Sequence, residues 1–149
     1  MGEQLAPFHL EYRSEARRVL TFAIGGTRTL PPRKLVMLKP APDPGYKADD
    51  EAAARGARIY HQHCYICHGI GVVSGGAAPE LRASDVPASA EAFHSIVKGG
   101  ALLPAGMPRF DYLSDADVED MRQYIRSRAA AWRTGDKGPA VPAGTSTGR

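Results

Sequence analysis

Residues 63–71 read HCYICHGIG. The chain has 149 residues and two cysteines, and both lie in this stretch: Cys64 and Cys67, three apart, with His68 directly behind. Three chemistries use a cysteine pair at that spacing. A structural zinc site needs four ligands from Cys and His, so His61, His63 and His94 would have to complete it. A thioredoxin-like dithiol expects a βαβ context, and no such pattern surrounds Cys64. The third chemistry is covalent haem attachment, whose signature is C-x-x-C-H. Two thiols add across the haem vinyl groups as thioethers, and the adjacent histidine is then held beneath the iron.

A second feature favours the third chemistry. A haem used only for electron transfer wants both axial positions filled, and a soft thioether opposite histidine raises the potential. Residues 105–110, AGMPRF, place Met107 between Gly106 and Pro108, in a loop and not on a helix face. It lies 39 residues past His68, ample to cross to the far side of a haem. Met121 reads instead as core filler, and Met37 lies ahead of the module.

Working outward, residues 48–64, ADDEAAARGARIYHQHC, form helix, with Asp49, Asp50 and Glu51 in the first turn where they favour the dipole. Ala52, Ile59 and Tyr60 fall roughly on one side. Gly56, one turn before Tyr60, costs about 1 kcal/mol relative to alanine, so a close approach by another element is expected there. Residues 89–100, SAEAFHSIVKGG, predict a second helix with Ser89 as N-cap, Phe93, Ile96 and Val97 inward, and Gly99 or Gly100 as the stop. The third helix opens on a capping-box pattern, Ser114 with Asp117, and carries Val118, Met121, Ile125, Ala129 and Trp132 at helical spacing. The expected fold is therefore all-α, a small helical module over residues 48–133.

The flanks differ. Residues 17–32, RRVLTFAIGGTRTLPP, read as a short strand ending at a Gly25–Gly26 turn, within an extension covering 1–30. A lone strand of this size needs a partner sheet. Residues 31–47 contain five prolines and read as a linker. Residues 134–149 are Gly, Pro, Ser and Thr-rich and are expected to be disordered.

Charge excludes one class of partner. The formal net charge of +3 divides into +4 over residues 1–48, −2 over 49–133 and +1 over the tail. A nucleic-acid-binding core would show a basic stripe, and the module is mildly acidic. Val19–Ile24 is too short to span a bilayer, so no integral membrane protein is expected. That segment is also shorter than a signal-peptide h-region, and Glu3, Glu11 and Glu15 precede it where a basic n-region belongs. No export signal is visible.

The order of a Gly/aromatic helix, CxxCH, a Pro-Leu loop, GMP and an amphipathic last helix resembles class I cytochrome c. Three stretches narrow the likeness: CYICHGIGVVSGGAAPELR (64–82), IVKGGALLPAGMPRF (96–110) and LSDADVEDMRQYIRSRA (113–129). They resemble the carboxy-terminal haem domain of quinohaemoprotein alcohol dehydrogenases, in which a propeller domain binding pyrroloquinoline quinone (PQQ) and calcium precedes the haem domain. RVLTFAIGGTRTLPP resembles the last propeller strand and its exit.

The resemblance implies roles. Cys64 and Cys67 would be the thioether anchors, His68 the proximal ligand and Met107 the distal ligand of a six-coordinate haem c. Pro79 would offer its carbonyl to the proximal histidine's Nδ1–H, and Leu81 would pack on the haem face. Gly56 and Tyr60 would meet Met121 or Tyr124 where the first and last helices cross. Electrons would arrive from a PQQ dehydrogenase domain and leave to a small redox protein or a quinone-linked acceptor, in the periplasm. The PQQ, calcium and alcohol sites would lie in the propeller, so no alcohol-oxidising activity is expected of these residues. They would fit a chain cut from the end of a longer, exported dehydrogenase. Two other functions remain open: a haem sensor or peroxidase with an open distal site, and a zinc-binding interaction module built on the CxxC.

Overall fold

The computed structural model describes residues 21–29, 38–75 and 78–135. Among the described residues four α-helices carry the fold: α1 (Asp50–His63), the single-turn α2 (Tyr65–His68), α3 (Ala90–Val97) and α4 (Asp115–Arg133). Short 3₁₀ turns at Ile70–Val72, Leu81–Ala83, Val86–Ala88 and Leu103–Ala105 join them.

The helix ends follow local chemistry. Asp49 caps α1, its carboxylate accepting from the Ala52 N–H at 2.9 Å. Asp50 and Glu51 occupy the first turn, where a helix favours negative charge. Ser89 caps α3 through the Ala92 N–H. Past its end, Gly100 takes φ +74, a left-handed conformation that suits glycine and turns the chain away. Ser114 and Asp117 complete the expected capping box at the start of α4, a device worth about 1 kcal/mol.

α1 and α4 cross at Gly56. A Cβ built there would overlap the carbonyl of Asp120, so only glycine permits this separation. Arg55 grips the Asp120 carboxylate beside the crossing with two bonds of 2.7 and 2.9 Å. Tyr60, Val72, Phe93, Val97, Leu113, Val118, Met121, Tyr124 and Ile125 make the core. Tyr60 meets Tyr124 with ring centroids 5.4 Å apart, as the helix-crossing expectation required. Ile96 and Ile59 are only partly buried, because Phe93 and Val97 take the inner face of α3 and Gly56 and Tyr60 that of α1.

The flanks depart from expectation in two places. No strand forms among the described residues. Thr21–Ile24 of the expected strand are described and join no strand among the described residues, while Val19 and Leu20 lie outside them. Phe22 and Ile24 stand fully exposed, as a strand without a partner sheet must. The turn that follows is present, with the Gly26 N–H donating to the Ala23 carbonyl. In the proline-rich stretch, the part beyond residue 40 is docked on the module. Asp43 pairs with Arg126 of α4 at 2.7 and 3.1 Å, both side chains about 90% buried. The Ala41 N–H donates to the Arg82 carbonyl at 2.9 Å, and Arg133 donates to the Ala41 carbonyl. The expected disordered tail lies, from residue 136 on, outside the described residues. No helix among the described residues is long and apolar enough to cross a membrane.

Candidate functional site

The cysteine motif begins where α1 ends. Cys64 donates its N–H to the Tyr60 carbonyl at 2.8 Å, and its own carbonyl accepts from the N–H groups of Cys67 and His68. Helical geometry thus carries through Cys64 into α2, and the two thiols sit on one turn. Gly69 then breaks the helix at φ +85, where a Cβ would overlap the Val73 carbonyl. The buried Tyr60 hydroxyl donates to the Gly69 carbonyl at 2.8 Å and pins this exit.

The two thiols are unlike. Cys67 is exposed. Cys64 is half-buried, 3.9 Å from the Met121 sulfur, and burial, with the neighbouring Cys67, pushes its pKa up to about 11. A redox dithiol works through a thiolate of lowered pKa, so Cys64 is set against that chemistry.

His68 is buried, and its Nδ1 lies 3.1 Å from the Pro79 carbonyl. A carbonyl can only accept, so Nδ1 carries the proton, and in the neutral ring the lone pair is then on Nε2. That is the tautomer a metal-binding histidine needs. Leu81 and Met107 are both partly buried and pack on the core, as does Cys64. Met107 follows Gly106, which takes φ +88 to end the turn Leu103–Ala105. Its N–H donates to the Leu102 carbonyl, and Phe110 returns the loop to α3 by donating to the Val97 carbonyl. The structure therefore gathers Cys64, Leu81 and Met107 around one core and joins His68 to Pro79.

The donor set suits a haem. Two thiols on one helical turn, an imidazole whose Nδ1 is committed to a carbonyl, and a thioether are the kinds of group that could anchor a haem and ligate its iron. Ile66, Ile70, Leu102 and Leu103, which flank these residues in sequence, are exposed apolar side chains that a porphyrin could cover. The same residues do not suit zinc. Among the described residues no group of three or more His, Cys, Asp or Glu is placed to hold an ion. His61 bonds the Ala57 carbonyl, His63 faces the Tyr112 hydroxyl and His94 pairs with Asp115.

Two features here escape sequence reading. Tyr112 reaches back to His63 across 49 positions, tying the chain after the Met107 loop to the chain before Cys64. Glu80 and Arg82, beside Pro79, form a buried ion pair. Neither has a spacing or composition signal that would announce it.

Comparison with known proteins agrees with this geometry. The family model described as cytochrome C oxidase, cbb3-type, subunit III matches residues 51–125, from the first turn of α1 to the middle of α4. The chain belongs to this family. It is a cytochrome c domain, and a domain of this kind carries out haem electron transfer. The quinohemoprotein alcohol dehydrogenase ADH IIB of Pseudomonas putida is 42% identical over 114 residues, covering 74% of this chain and 16% of that enzyme. Cytochrome c550 of Pseudomonas aeruginosa is 36% identical over 86 residues, covering 55% of this chain and 59% of that protein. The solved structure of quinohemoprotein alcohol dehydrogenase ADHIIG from Pseudomonas putida HK5 superposes with a TM-score of 0.59 at 35% identity. It covers 74% of this chain and 16% of that one. The chain thus spans about a sixth of the length of its dehydrogenase relatives. What is shared with them is the haem domain, as the sequence likeness implied.

Proposed function

We propose that this cytochrome c domain holds a six-coordinate haem c through Cys64 and Cys67, with His68 below the iron and Met107 above it. The observation that carries the reading is the His68–Pro79 bond directly behind the cysteine pair. It fixes the ring, commits Nδ1 and leaves Nε2 for the iron. A haem held there would supply one-electron chemistry. Pro79 keeps His68 oriented, and Leu81 and the core side chains exclude water from the proximal side. Met107, held in the Gly106–Pro108 loop, fills the position an exogenous ligand would otherwise take, which favours relay over sensing or peroxidation. The relatives' names, quinohemoprotein alcohol dehydrogenase and alcohol dehydrogenase (quinone), support an alcohol dehydrogenase domain as the electron donor; by the sequence resemblance that donor carries PQQ and calcium and passes electrons through this haem to a small redox protein or quinone-linked acceptor. Haem c maturation supports the periplasm as the working compartment.

The test is expression of the chain behind an export signal with a haem c maturation system. Haem should stay on the polypeptide through acid–acetone extraction and a denaturing gel, and Cys64→Ala or Cys67→Ala should weaken retention. The matured protein should be reduced by a PQQ dehydrogenase domain given alcohol. Haem lost entirely on extraction would refute covalent attachment. A stable covalent haem that this donor cannot reduce would refute the relay alone.

A further inference from the structure

Pro79 provides the acceptor for His68, and what holds Pro79 is unusual. The residue on its far side, Glu80, is 7% exposed, and so is Arg82 two positions on. Their side chains make a two-pronged pair: Arg82 Nε to Oε1 at 2.8 Å and Nη2 to Oε2 at 3.0 Å. The same carboxylate accepts from the Ser74 N–H at 3.1 Å and from the Arg82 N–H at 3.4 Å. Ser74, itself 2% exposed, donates its hydroxyl to the carbonyl of Ala78, the residue before Pro79. Pro79 is thus flanked by two anchored residues.

The clamp is braced from outside. The Arg82 guanidinium lies 4.5 Å over the Trp132 ring of α4, and the Arg82 carbonyl accepts the Ala41 N–H. An ion pair this deep contributes little net stability, because desolvation offsets most of the attraction, and apolar residues of similar volume often serve as well. Its contribution here is geometry. A guanidinium fork on a carboxylate fixes distance and angle together.

We infer that Glu80 and Arg82 are positioning residues for the proximal histidine, setting the length and direction of the Pro79–His68 hydrogen bond and hence the donor strength of the iron ligand. This rests on the proposed role of His68. A firm bond from Nδ1–H strengthens the ring as a donor at Nε2 and favours ferric iron. Loosening the clamp lengthens the bond, weakens the donor and raises the reduction potential.

Arg82→Lys tests this at constant charge, since lysine keeps the cation and loses the fork. The matured parent is first shown spectroscopically to have histidine–methionine ligation. If it has not, the ligand assignment fails and the inference falls with it, distinguishably. In Arg82→Lys the potential rises, and the His68 Nδ1 proton of the reduced protein exchanges faster with solvent. Arg122→Lys is the control. Arg122 is similarly buried and bonds Glu119 and the Pro87 carbonyl, so its variant loses stability with no change in potential. Ser74→Ala, which removes the hydroxyl bonded to the Ala78 carbonyl, raises the potential less, and carries the test alone if Arg82→Lys fails to mature. Parent values of potential and exchange in a folded Arg82→Lys, or in Ser74→Ala where that carries the test, overturn the inference. So does a rise equally large in Arg122→Lys.

Discussion

Asp43→Ala should destabilise the module well beyond what a surface charge is worth. Asp43 lies in a stretch that composition marks as linker, yet it gives both carboxylate oxygens to Arg126, and burial of the two side chains is about nine-tenths. Exposed pairs contribute about 0–1 kcal/mol. Stripping one partner from a buried pair costs about 3–5 kcal/mol, because a charge is left in a dry site. After the substitution Arg126 keeps the Tyr46 ring at 5.2 Å and a long contact to Gln123 at 3.5 Å, neither a replacement for a carboxylate. The 41–46 segment can lift and admit water, which lowers the cost. We therefore expect about 2–3 kcal/mol, the upper range for a hydrogen bond to a charged group, and a melting point lower by on the order of 10 °C. Thermal and urea unfolding followed by far-UV circular dichroism would measure it. The pH dependence has a definite sign. The Arg126 hydrogen bond holds the Asp43 pKa below its usual 3.8. The stabilisation is therefore complete above that value and is lost as pH falls through the lower, folded-state pKa. Parent and variant should converge in strong acid. A loss below about 0.5 kcal/mol at neutral pH, the level of an ordinary surface substitution, would show that the segment rests on the module without holding it.

Three further substitutions separate ligand, core and crossing. Met107→Ala should abolish the Met–iron charge-transfer band and admit carbon monoxide to the reduced haem, whereas Met121→Ala, at a site 1% exposed, should keep the band and cost about 2–5 kcal/mol in urea unfolding. Gly56→Ala gains about 1 kcal/mol of helix propensity but drives a methyl into the Asp120 carbonyl. Overpacking of about 1–3 kcal/mol should prevail, seen as a net loss in the same unfolding assay.

What could be read in the sequence was whatever is encoded locally. The Ser114–Asp117 box and the Ser89 cap span three residues each and form as written. Gly56 was legible because glycine in a helix needs a reason, and the backbone of α4 supplies it. The Pro79–His68 bond came with the family likeness and not from spacing alone. At Thr21–Ile24, the described part of the expected strand, no strand forms: alternation describes a surface that suits a sheet, and no sheet is present among the described residues. Asp43 and Arg126 lie 83 positions apart. Nothing in a proline-rich run predicts which carboxylate will find an arginine on a later helix. Arg82, Arg122 and Arg126 would be placed in solvent by residue type, and all three are buried against fixed acceptors.

Those buried arginines share a location that bears on how the domain works. Arg82 braces the turn beside Pro79, Arg122 holds the Pro87 carbonyl in the next turn, and Arg126 draws in the 41–46 segment, which bonds back to Arg82. Arg82 and Arg122 act on the connection between α2 and α3, and Arg126 reaches it through the 41–46 segment, but Arg82 alone bonds a neighbour of Pro79. Among the described residues the Met107 loop carries no buried ion pair. It is held by main-chain bonds, from Met107 to Leu102 and from Phe110 to Val97, by the Phe110 and Tyr112 contacts with His63, and by an exposed Arg109–Asp111 pair. Regions with few buried contacts open at lower free energy than braced ones. The fold therefore places its rigidity on the histidine side and leaves the methionine side to adjust. For an electron relay that division is useful. Under the proposed ligation, His68 would be held and any change in iron–ligand bonding between oxidation states would fall on the Met107 loop.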